Sequence, residues 1–122
     1  EALAPDFSHV GHGRDANGKG EASPIFYRAT ELQLLRTETL WISAIPEEPG
    51  TMHVGAICPR IVTCAAFRQQ RGGEFFCFNT HLDHAGLQDC LPDFRVQSEQ
   101  AEILCNLVNQ FCGSNPASRV VL

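Results

Sequence analysis

The run Asn79-Thr80-His81-Leu82-Asp83-His84 places an amide, two imidazoles and a carboxylate within six consecutive residues. It follows Glu74-Phe75-Phe76-Cys77-Phe78, which reads as a buried strand, so the polar groups emerge where that strand reaches a sheet edge. Alternation along a strand puts Asn79 and His81 on the same side. A histidine at such an edge can donate a proton, hold a phosphate or bind a metal, because its unperturbed pKa lies close to neutrality. The plainer reading is a histidine that only ends the strand.

Two named chemistries compete for this run. One is the zinc motif of the metallo-β-lactamase fold, His-x-His-x-Asp-His, which is met except at its first position. Asn79 stands there, and an amide is a poor zinc ligand beside imidazole or thiolate. That fold also needs a histidine further downstream, and none follows His84. Zinc is therefore disfavoured.

The other is the Asn-Thr-His-Leu-Asp-His pattern of the endonuclease/exonuclease/phosphatase superfamily, which this chain resembles at several ordered positions. Val10-Gly11-His12-Gly13-Arg14-Asp15 resembles its Val-Gly-x-Gly-Arg-Asp segment. Gly20 to Arg28 resembles its Gly-Glu-x-x-Pro-Ile-Phe-Tyr-Arg segment. Leu40-Trp41-Ile42-Ser43 with Pro46, and Pro59-Arg60-Ile61-Val62-Thr63, are similar to two further stretches. Arg95 matches an additional family arginine. The resemblance spans nearly the whole chain.

That resemblance implies the fold class: α/β, part of a four-layer α/β-sandwich with two packed, mainly antiparallel sheets and flanking helices. It implies a metal-dependent phosphoester hydrolase, a phosphodiesterase or phosphatase, using a divalent metal such as Mg2+. The family's early Asn and Glu ligands, its Gly-Asp-x-Asn run and its closing Asp-His pair have no counterpart among residues 1–122. The chain is expected to be one partial, central segment of the domain, truncated at both ends. Magnesium's main ligands are expected elsewhere, and the 122 residues alone are expected to be inactive, to bind magnesium poorly and to fold marginally. Within the segment, the resemblance implies His81 and Glu21 as the catalytic pair, with Glu21 orienting the His81 ring. Asn79, Asp83, His84 and Arg95 are the expected substrate-side contacts. A relative that kept the fold and lost catalysis, acting as a binding scaffold, is the alternative.

Composition is that of an ordinary globular domain: 122 residues, 43% hydrophobic and 19% charged. The implied partner is a phosphate-ester substrate. A net charge of −5 gives no general footprint for nucleic acid, which the superfamily permits and the charge disfavours. Eight of the nine basic residues are arginines, suited to bidentate phosphate contacts, although scattered arginines generally serve surface salt bridges. No apolar run approaches the roughly 18 residues that span a membrane.

Six cysteines show no Cys-x-x-Cys spacing and read as small buried hydrophobes, which mildly favours a reducing, intracellular compartment. Residues 7–11, 23–28, 32–36, 39–43, 60–68 and 74–81 read as strands. Gly72-Gly73 is predicted to turn the hairpin between the last two. A two-residue turn there pairs Arg71 with Glu74 and sets Cys64 opposite His81. Residues 87–92 read as loop. Asp93 is the expected N-cap of a helix to about Phe111, with Val96, Ile103, Leu104, Leu107, Val108 and Phe111 at helical spacing and Gly113 as the stop. A last strand is expected to reach Leu122. Trp41 and Tyr27 read as core. The loop from Asp15 to Glu21 fits neither a calcium loop, with Lys19 at a ligand position, nor a P-loop. His9 and His12 read as structural, and His53 has no partner pattern.

Overall fold

A computed structural model describes residues 6–84, 86–88, 91–113 and 119–122. The elements are β1 (Phe7–Val10), β2 (Ile25–Arg28), β3 (Leu32–Trp41), β4 (Ile61–Gln69), β5 (Glu74–Thr80), β6 (Gly86–Gln88), β7 (Leu91–Asp93), α1 (Arg95–Cys112) and β8 (Arg119–Val121). β3, β4, β5 and β8 form a four-stranded sheet in that order, and β1–β2 and β6–β7 form two-stranded sheets. β8 joins β5 in parallel, while every other pairing is antiparallel.

β4 organises the core. Val62, Cys64 and Ala66 point to one face, where they pack with Phe76, Phe78, Leu104, Leu107 and Phe111, so α1 covers that side. Ala65 and Phe67 point to the other face and pack with Ile25, Val10 and Tyr27 from the β1–β2 sheet. A strand buried on both faces reads as a continuous apolar run instead of an alternating one, as Ile61 to Phe67 does. Helix, four-stranded sheet and two-stranded sheet thus stack as layers of an α/β-sandwich.

Four local expectations need correcting. The segments 32–36 and 39–43 are one strand, β3, with a register shift between Leu34 and Arg36 that leaves Leu35 as an extra, unpaired residue. The β4–β5 hairpin pairs Arg68 with Glu74 and Cys64 with Phe78, not with His81. Burial selects that register: it sets Ala66 and Cys64 across from Phe76 and Phe78 on the helix face, whereas the two-residue turn would set core residues against polar ones. Segments 86–88 and 91–93 pair as strands instead of forming loop throughout. Finally, the N-cap position is Phe94. Asp93, one residue earlier, still accepts a hydrogen bond from the Arg95 amide at 2.9 Å.

Other expectations hold. Gly113 ends α1 with a positive φ of 62° and donates its N–H to the Asn109 carbonyl. Trp41 is buried, and Tyr27 packs on Phe67 with ring centroids 4.9 Å apart. The last strand, expected to reach Leu122, falls partly outside the described residues, which hold Arg119–Val121 of it.

Among the described residues the cysteines are free but less uniformly buried than expected: only Cys64 is fully enclosed, Cys58, Cys77 and Cys112 are half-buried, and Cys105 is exposed. Cys90 lies outside the described residues. Desolvation pushes the Cys64 thiol up to about 12, with nearby Glu38 adding to the rise and Arg36 opposing it. Native-state alkylation followed by mass spectrometry should label Cys105 well before Cys64, since the thiolate is the reacting species. Equal labelling of the two would contradict this core. Because the folded thiol stays protonated where the unfolded one ionises, its stabilising contribution is intact below pH 9.0 and declines as pH rises toward about 12.

Candidate active site

Three chain segments meet at one end of the sandwich. The first is the glycine-rich loop between β1 and β2. Its backbone closes on itself: Arg14 N–H donates to the Glu21 carbonyl at 3.0 Å and Asp15 N–H to the Lys19 carbonyl at 2.9 Å. Gly13 is bridged to Ala22. This pairing brings the Arg14 and Glu21 side chains together as an ion pair, and Trp41 Nε1 donates to the Arg14 carbonyl at 2.7 Å. The loop lies tight against the sheet. Gly11 has φ of 100°, and a Cβ there would stand 2.7 Å from Thr63 Oγ1, so only glycine fits.

The second segment is the entry to β4. Arg60 is buried, with 5% of its surface exposed. A buried guanidinium needs an opposite charge and nearly complete hydrogen bonding. The third segment, after β5, supplies the charge: Arg60 Nη2 donates to Asp83 Oδ1 at 2.9 Å. Asp83 Oδ2 accepts from the Ile57 N–H at 2.9 Å, and Oδ1 also accepts from the His84 N–H at 3.1 Å. The Asp83 N–H in turn donates to Gln100 Oε1 on α1 at 2.7 Å. Burial alone would raise the Asp83 pKa, but the Arg60 guanidinium and the Ile57 and His84 amides outweigh it and hold the carboxyl below its usual range.

The other arm of Arg60 reaches His81, with Nη1 2.9 Å from the ring Nδ1. Glu21 Oε1 stands 3.9 Å from the same nitrogen. Arg14, Glu21, Ser23, Pro59, Arg60, Ile61 and His81 line a single cleft. The fold therefore brings the expected pair, His81 and Glu21, to ion-pair distance but not into a direct hydrogen bond. The Glu21 carboxylate pairs instead with the Arg14 guanidinium, and the nearest partner of the His81 ring is Arg60.

The remaining expected residues are placed as follows. Asn79 Nδ2 donates to the Pro24 carbonyl at 2.8 Å, tying β5 to the segment before β2. Asp83, expected on the substrate side, is buried beneath the cleft with its oxygens occupied, because Arg60 requires a counter-charge there. His84 is exposed, with Nδ1 3.6 Å from Asp83 Oδ1. Arg95 is exposed at the start of α1, 3.9 Å from Asp93, and does not line the cleft. His53, given no role, donates from Nε2 to the Glu99 carboxylate at 2.8 Å and joins its loop to α1. Arg14 and Arg60 were not among the expected site residues, although both sit inside motif segments that carry the family resemblance.

Comparison with solved structures gives the class. An endonuclease/exonuclease/phosphatase from Bacteroides vulgatus superposes with a TM-score of 0.75 at 31% identity, covering 87% of this chain and 39% of that one. A mannosyl-6-phosphatase from Bacteroides thetaiotaomicron gives 0.79 at 30% identity, covering 92% and 40%. An endonuclease/exonuclease/phosphatase family protein from the same organism gives 0.79 at 30% identity, covering 92% and 38%. No protein-family model matches the chain, and no curated protein matches it. These neighbours identify the chain as a partial segment of the endonuclease/exonuclease/phosphatase fold. It spans about 40% of the length of the solved structures it matches.

The buried pair makes a direct stability prediction. Replacing Asp83 with Ala should destabilise the fold by about 3–5 kcal/mol, because Arg60 is left buried without a counter-charge. Chemical denaturation measures this, and a loss within experimental error would show that the pair is not a fixed part of the fold. In the wild type, the folded carboxyl titrates lower than the unfolded one. Its contribution is therefore present above the ordinary value of 3.8 and is lost as pH falls through the lowered folded value. An acid-unfolding curve that is unchanged in an Asp83→Asn variant would oppose that assignment.

Proposed function

We propose that this chain supplies the phosphate-handling half of a phosphoester hydrolase active site, with His81 as the group that meets the substrate. The observation that supports it most is the convergence of Arg14, Arg60, Glu21 and His81 on one cleft in a chain 30% identical to a mannosyl-6-phosphatase. Hydrolysis requires water to attack phosphorus, the ester P–O bond to break and the departing oxygen to gain a proton. His81 is placed to hold a phosphoryl oxygen or pass a proton to the departing one. The arginines supply positive charge beside it, and Glu21 keeps Arg14 directed into the cleft.

The described residues do not by themselves make a divalent-metal site. Among the described residues, no group of three or more His, Cys, Asp or Glu side chains could hold an ion. Glu21 is paired with Arg14, and Asp83 is enclosed by its donors. A hard dication wants several oxygen ligands at once, and this donor set does not fit one. Magnesium would need ligands outside the described residues.

The substrate class to assay first is a sugar phosphate monoester, with an aryl phosphodiester as the contrasting probe. In the catalytically complete protein, His81→Ala should lower kcat by roughly 10²–10⁴-fold while leaving the thermal transition in place. Glu21→Gln should give a smaller loss. Chelation with EDTA should abolish turnover and magnesium should restore it. An unaffected His81→Ala enzyme would end the catalytic assignment, and activity indifferent to chelation would end the metal one.

A further inference from the structure

We infer that Arg60 is a positioning residue that fixes which nitrogen of His81 carries the proton, with Asp83 and Gln100 holding Arg60 in place. A neutral imidazole has one N–H and one lone pair, and either nitrogen can hold the hydrogen. Arg60 decides between them, because a guanidinium has donors and no acceptor. At 2.9 Å from Arg60 Nη1, His81 Nδ1 must present its lone pair, since an N–H there would set two hydrogens against each other. The proton is then on Nε2, at the other side of a ring whose side chain is 66% exposed.

Glu21 is the competing director, and it would favour the opposite tautomer by accepting from an Nδ1–H. Its carboxylate stands at 3.9 Å, beyond hydrogen-bond distance, and is engaged by Arg14. Arg60 makes the shorter contact and cannot swing away. Its other arm is committed to Asp83 Oδ1, and Asp83 is itself fixed by Ile57, His84 and Gln100. Gln100 is fully buried and its amide orientation follows from the donor it meets: Oε1 must face the Asp83 N–H. A chain of oriented groups therefore runs from α1 through Asp83 and Arg60 to the His81 ring.

This inference rests on the proposed hydrolase only for the use made of the Nε2–H, as a donor to a phosphoryl or leaving oxygen. The tautomer itself is a property of the fold and is tested without activity. The catalytically complete protein is labelled with 15N-histidine, and long-range 15N–1H correlations are recorded at a pH where the ring is neutral, with His81→Gln identifying the signals. Wild-type His81 should show a protonated Nε2 and an unprotonated Nδ1 with no averaging. Arg60→Met should move both nitrogens to the averaged positions of free histidine, and Arg60→Lys, which keeps a donor, should largely restore the wild-type pattern. Where Arg60→Met does not fold, the double variant Arg60→Met/Asp83→Leu removes both charges together and is read in the same way.

An Nδ1–H tautomer in the wild type, averaging equal to that of free histidine, or a pattern unchanged by loss of Arg60 would each overturn the inference. In the catalytically complete protein, loss of Arg60 should lower kcat by up to about 10²-fold with little change in KM, as expected for a misoriented donor. If the complete protein hydrolyses no phosphoester, the functional reading fails, and the tautomer measurement still decides the role of Arg60.

Discussion

The buried Arg60–Asp83 ion pair is the contact on which the geometry of this site depends. Two charges cannot be removed from water without a large penalty, which their mutual attraction offsets only when the remaining hydrogen-bonding capacity is also used. Asp83 meets that condition through Arg60 and two backbone amides. Those partners come from different parts of the chain. Ile57 belongs to the loop before β4, Arg60 to the start of β4 and His84 to the segment beyond β5. Gln100 adds α1 through the Asp83 backbone. Satisfying one carboxylate therefore fixes the relative positions of a loop, a hairpin and a helix, and the cleft is the surface they share.

The sandwich makes that pair possible by giving it a dry floor. β4 is covered by α1 on one face and by β1–β2 on the other, so the residues at its N-terminal end are enclosed from both sides. Its small residues, Cys64, Ala65 and Ala66, let the layers approach, and Gly11 lets the glycine-rich loop lie against Thr63. The same loop then delivers Arg14 and Glu21 to the cleft. At the far end of α1, Arg36 donates to the Phe111 carbonyl and lies 3.9 Å over the Phe111 ring, so the helix is anchored at both ends. Packing and site geometry are in this respect one problem.

Periodicity and burial made the framework legible before any coordinates. The continuous apolar run of β4, the alternation in β5 and the helical spacing of Leu104, Leu107 and Phe111 correspond to the sheet and helix found. What failed was chemistry that depends on a third partner. Gly72-Gly73 looks like a two-residue turn because both glycines favour positive φ, yet the register is chosen by which side chains face α1, a distant element. Asp83 was expected on the substrate side because of the motif in which it stands. Its burial follows from Arg60, which is adjacent only after β4 and β5 pair. Glu21 and His81 were brought to one cleft by matched motifs, but their separation is set by the two arginines that lie nearer to each.

Those two arginines divide the electrostatics of the cleft unequally. Arg14–Glu21 is partly exposed, with side chains 23% and 55% accessible, whereas Arg60–Asp83 is 5% and 3% accessible. Exposed pairs are worth at most about 1 kcal/mol, because water and salt screen them and long side chains resist ordering. A buried pair cannot be opened without leaving a desolvated charge, which costs several kcal/mol. The two pairs thus differ in kind although they lie against the same histidine. Breaking the outer pair changes the charge that the cleft presents and leaves the fold alone. Breaking the inner pair by removing the carboxylate releases the Ile57 and His84 amides from their shared acceptor, and the cleft loses its shape along with its charge.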